Sequence, residues 1–158
     1  MAEAYRARLT ALKAMANVIR SLGTDRYRIV RGVIPLTGHD WRYRPFIAAL
    51  NVTDFPLVRA GSEPFYKATF SLALATKLAI ESDARREDLV EGMDEHVLDQ
   101  LTQDAEAFLD LLLQQQNEQG DPIIARLITT GDLATRAREF ADASYSIQGI
   151  EISFTVEY

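Results

Sequence analysis

Few residues of this chain have the type and spacing that chemistry requires. The two histidines, His39 and His96, lie close to Asp40 and Asp94, and an imidazole with a carboxylate is a conceivable start for a metal site. Neither has a second histidine three or four residues away, so the helical pair that grips one ion is missing. His96 fits equally well as an ordinary position in a first helical turn. Carboxylates crowd between Glu81 and Glu95, where they could act as general acids and bases or as oxygen ligands for Ca²⁺. Their spacing is not that of a calcium loop, and a run of mixed sign reads as a solvated connection. No serine sits in a strand-to-helix elbow, and no glycine-rich loop precedes a helix to cradle phosphate. The chain has no cysteine, which excludes disulfides, thiolate metal sites and a thiol nucleophile and is compatible with a reducing compartment. The expectation is a protein that is not an enzyme, with no catalytic residue, no cofactor and no metal.

One short constellation remains, Trp41, Arg42, Tyr43 and Arg44. Aromatic and arginine side chains are the commonest anchors of protein interfaces, so an interface is one reading. A second has Trp41 and Tyr43 pinning their loop to the body of the domain. A third stacks nucleobases on the rings, but single-strand binders place such groups in a basic groove, and the formal charge of this chain is −6. The same charge argues against general duplex binding, which draws its affinity from cations that neutralise phosphates.

These residues need a frame to hold them, and 158 residues suit a single domain. A domain of about 150 residues buries about 68–70% of its extended-chain surface, enough for a core without staples. The composition, 47% apolar and 25% charged, is that of a globular protein. No apolar run reaches the ~18 residues that span a bilayer, and Met1 to Leu22 lacks the apolar block of a signal peptide. A soluble, intracellular product is expected.

Tyr5, Leu9, Leu12, Ala16, Ile19 and Leu22 recur every three or four residues and predict an amphipathic helix ending near Leu22, before Gly23. Arg26 to Ile34 reads as a strand cut by Pro35, and Leu36 to Pro45 as a loop. Phe46 to Val58 reads as a strand at a sheet edge or ending irregularly, because of Pro56. Ala60 to Pro64 is a turn, and Tyr66 to Leu74 alternates as a long strand. Glu81 to Met93 reads as a charged loop leading to a second amphipathic helix from Asp94 to about Asn117, laid across the sheet. Ile123 to Thr130 is a strand, Gly131 and Asp132 a turn, and Leu133 to Ser146 is ambiguous between helix and strand. From Gly149 onward Ile150, Ile152, Phe154, Val156 and Tyr158 alternate with polar residues, a half-buried strand. The fold class is α+β, a mainly antiparallel sheet with two amphipathic helices packed on one face. A last strand can lend its edge to another subunit, which adds Ile152, Phe154 and Tyr158 to the candidate interface.

Several stretches carry a resemblance. Asp54-Phe55-Pro56-Leu57-Val58 precedes the long strand, Glu81 to Asp88 follows it, a polar-start leucine-rich helix begins at Asp94, and Gly149 to Val156 closes the order. In this arrangement the chain resembles the phage tail terminator and tail-completion proteins of the neck. The stretches Leu36 to Pro45 and Leu133 to Ser146 depart from the pattern and read as insertions that contact a neighbour. The resemblance implies that residues 1–158 are one tail-terminator-like domain, a virion structural protein assembled in the host cytoplasm. It implies a homo-oligomeric ring, usually of six copies, that caps the tail tube protein and docks the head-side connector or a neck protein, with the tail sheath as a further neighbour. Encapsidated DNA would pass through without specific binding, and no membrane is involved. The alternatives are another neck or tail-tube-like ring component, or a cytosolic ligand-binding or enzymatic α+β domain.

Overall fold

Alternation along the strands decides where the core of this protein forms. The computed structural model describes residues 2–22, 26–31, 46–54, 65–79, 89–90, 93–139 and 145–158. Within them the chain forms α1 (Ala2–Ser21), β1 (Tyr27–Arg31), β2 (Phe46–Asp54), β3 (Lys67–Ala79), β4 (Leu89–Val90), β5 (Met93–Asp94), α2 (Glu95–Leu113), β6 (Arg126–Glu139) and β7 (Tyr145–Glu157). Five strands make one sheet in the order β1-β2-β3-β7-β6, and β4 with β5 forms a separate small ladder just ahead of α2. β1 runs parallel to β2, and the other pairings are antiparallel. The architecture is α+β with a mixed, mostly antiparallel sheet.

The β3–β7 register places Ala68 opposite Val156, Phe70 opposite Phe154, Leu72 opposite Ile152 and Leu74 opposite Ile150. These eight side chains are buried on one face, because a period of two sends every second residue the same way. The other face carries Thr69, Ser71, Ser153 and Thr155, and the Thr69 and Thr155 hydroxyls lie 3.0 Å apart. Gly149, inside β7, faces Ala75. A Cβ there would lie 3.0 Å from both the Ala75 Cβ and the Leu74 carbonyl oxygen, so the strands approach closely only because no side chain intervenes.

The helices complete the core. α2 buries Leu101, Asp104, Ala105, Phe108 and Leu112, and the Phe108 ring meets Phe154 edge-on with centroids 5.5 Å apart. α1 buries Ala11, Ala14, Met15, Val18, Ile19 and Leu22 in the same cluster. Its buried stripe is thus rotated from the expected one, leaving Leu9, Leu12 and Ala16 half-buried at its flanks. The alanines outrank the larger residues at the centre because a short side chain lets a helix approach its support closely. None of the helices in the described residues is long and apolar enough to cross a membrane.

Four expectations are corrected. β2 is not an edge strand: β1 covers its outer side, and its irregularity is a register shift between Val52 and Asp54. The charged connection is not all loop, since Leu89–Val90 pairs with Met93–Asp94. α2 stops at Leu113 rather than Asn117. There the Asn117 side chain accepts hydrogen bonds from the Gln119 and Asp121 amides, and Gly120 takes φ 83°, where glycine is at ease. Finally, Gly131 and Asp132 do not end a strand. β6 runs on to Glu139, absorbing them where its register with β7 shifts between Thr129 and Leu133, so the ambiguous segment is strand as far as Glu139. The stretches 32–45, 55–64 and 81–88, with Pro35, Pro56 and the Ala60 to Pro64 turn, lie outside the described residues.

Candidate functional site

Of the residues selected from sequence, the structure describes Ile152, Phe154, Tyr158 and His96. Trp41, Arg42, Tyr43 and Arg44 lie outside the described residues, as do His39 and Asp40. Ile152 and Phe154 are buried within the chain's own core, and β7 is hydrogen-bonded to β3 on one side and β6 on the other. The expected free edge on the last strand is therefore absent, because the hairpin partner β6 covers it. Tyr158 continues the ladder beyond β7: the Tyr66 amide donates to its carbonyl at 2.8 Å, and its amide donates to the Tyr66 carbonyl at 2.9 Å. The two rings pack with centroids 5.9 Å apart. The buried Tyr158 hydroxyl has no hydrogen-bond partner among the described residues. His96 is exposed at the start of α2, and no group of three or more potential metal ligands occurs among the described residues.

The residues that do converge were not singled out by motif. Asp104 sits on the buried stripe of α2, whose other buried members are all apolar, and is 6% exposed. Its Oδ2 accepts the Tyr27 hydroxyl proton at 2.5 Å and an Arg26 N–H at 3.2 Å, and its Oδ1 accepts from the Gln100 amide at 3.2 Å. The Arg26 guanidinium also lies over the Phe46 ring, 5.3 Å from its centroid. The carboxylate is thus held by β1, by the residue before it and by its own helix. Each oxygen has a donor, so the group acts as a fastener joining α2 to the sheet. The one available signal was an aspartate three residues after Leu101 and four before Phe108, inside the apolar stripe.

The Tyr27 and Tyr158 phenols are held protonated. Burial raises the Tyr27 phenol far above the usual tyrosine value, with the hydrogen bond to Asp104 and its negative charge adding to the effect. Burial pushes the Tyr158 phenol up to about 12, against the pull of the Arg8 cation. A raised phenol pKa means that the folded chain keeps its proton where the unfolded chain has lost it. Stability should therefore be fully present below the unfolded value of about 10 and fall as pH rises above it. Urea midpoints followed upward from neutral pH test this: a constant midpoint through pH ~11 would contradict it, and Tyr27→Phe should flatten the fall.

Among the described residues the sheet ends in two edges, β1 and β6. β1 is short and β6, at 14 residues, is long, and Ile128 on β6 is 39% exposed. A long edge strand presents a row of backbone groups to whatever can pair with them. No protein-family model matches this chain, and no curated protein does.

Proposed function

We propose that this protein is a virion structural component, a tail terminator or tail-completion ring at the neck of a phage, acting without turnover. Copies join around a central hole, cap the tail tube and provide the docking surface for the head-side connector. The observation that supports this most is the place of β6 at the edge of the sheet among the described residues. Strand addition there satisfies main-chain groups that otherwise face water, and a neighbouring copy is a partner always at hand. A ring needs two different patches that meet after a fixed rotation, and β1 and β6 are two different edges of one sheet. The acidic chain would leave DNA free to slide through the hole.

Sedimentation of the purified protein, alone and mixed with tail tubes, tests the proposal. The expected outcome is a ring-sized species or its formation on tube ends, visible as caps by electron microscopy. A lone monomer in both states would overturn it.

A further inference from the structure

The two helices carry opposite charge on their outer faces. On α1 the exposed positions Arg6, Thr10, Lys13, Asn17 and Arg20 follow one another at three- and four-residue steps, and the cations lie seven residues apart. Seven residues are about 10.5 Å along a helix, two turns on the same side. On α2 the exposed positions Glu95, Asp99, Gln103, Glu106 and Asp110 make a matching stripe, with Asp99 and Glu106 again seven residues apart. The segregation covers each whole helix. α1 has four cations, Arg6, Arg8, Lys13 and Arg20, against Glu3, and α2 has five carboxylates with no lysine or arginine.

Within the chain this charge is not used up. Arg26 pairs with Asp104, and among the described residues none of Arg6, Lys13, Arg20, Glu95, Asp99, Glu106 or Asp110 joins an ion pair. The helices have nearly equal lengths, 20 and 19 residues, about 30 Å each. A basic stripe and an acidic stripe on helices of nearly equal length, sharing one seven-residue step between charges, are complementary surfaces that no ion pair within the described residues joins.

We infer that a second copy of this chain docks here, the Arg6, Lys13 and Arg20 stripe of one copy lying along the Asp99, Glu106 and Asp110 stripe of the next. Opposite potentials steer the encounter and fix the register, and like stripes brought together repel. The inference goes beyond the tail-end reading and does not depend on it, since it requires only another copy of the chain.

Charge reversal with complementation tests it. One variant carries Arg6→Glu, Lys13→Glu and Arg20→Glu, and the other carries Asp99→Lys, Glu106→Lys and Asp110→Lys. All six positions are exposed, so both variants should retain the wild-type circular dichroism spectrum. Wild type should self-associate at about 0.01 M salt and dissociate near 1 M, where the Debye length has shrunk from ~30 to ~3 Å. Each variant alone should associate at least about tenfold more weakly, and their mixture should recover association as a mixed complex. Self-association of either variant at wild-type strength, a mixture no stronger than its components, or a wild type monomeric at low salt would overturn it. Association as expected with no binding to tail tubes would leave this contact standing and remove the tail-end reading alone.

Discussion

Phe154→Ala should lower the unfolding free energy by about 3–5 kcal/mol, the largest loss expected from any single truncation in this protein. The ring is 1% exposed and joins two layers. It stacks on Phe70 across the β3–β7 ladder with centroids 5.8 Å apart, and it meets Phe108 of α2 edge-on at 5.5 Å. Removing it deletes buried apolar area and leaves a cavity between helix and sheet that neither rigid neighbour can fill. Neighbouring Ser153 is exposed on the opposite face, so Ser153→Ala should stay within about 0.5 kcal/mol of wild type. Urea denaturation of both variants gives the comparison, and a Phe154→Ala loss below about 1 kcal/mol would mean that α2 does not rest on this ring.

The second large effect belongs to Asp104. Asp104→Ala removes the acceptor of a Tyr27 hydroxyl on a residue that is 0% exposed and leaves the Arg26 cation unpaired. Breaking a fully buried ion pair from one side costs about 3–5 kcal/mol. Arg26 retains 22% side-chain exposure and water can solvate part of it, so the lower end, about 3 kcal/mol, is the expected loss. Tyr27→Phe removes only a donor, and Asp104 keeps Arg26 and Gln100, so the expected loss is about 1 kcal/mol. Combined, the two substitutions should cost less than their sum by about 0.5–3 kcal/mol, because the hydroxyl that Asp104→Ala orphans is no longer there. Strict additivity in this cycle would show that the hydrogen bond contributes nothing.

These effects explain why the fastener escaped a reading by motif. Asp104 differs from the exposed carboxylates Asp99, Glu106 and Asp110 only in the side of the helix it occupies. Its partners, Arg26 and Tyr27, lie 78 and 77 residues away in the chain. A sequence records spacing along an element, and that spacing placed Asp104 among apolar neighbours without supplying the cation and the phenol that make the position tolerable. The burial of Ile152 and Phe154 was hidden from the sequence for a related reason. Ile152 and Phe154 stand out because they are apolar and alternate, which is also the mark of a core strand, and only the pairing of β7 on both sides decides between core and contact.

Local chemistry by itself determined much of the frame. Periodicity near 3.6 located α1 and α2, and alternation located β3 and the end of β7, since each pattern follows from backbone geometry alone, while aromatic and β-branched content located β1. Tertiary structure decided the rest. The sheet order β1-β2-β3-β7-β6 put the last strand inside and left β6 at the edge, and pairing with β7 carried β6 through Gly131 and Asp132, residues that favour a turn. The physical reason is that strand neighbours and buried charge partners are chosen by contacts between segments far apart in the chain. A long ladder with a partner already in place outweighs the modest turn preference of two residues.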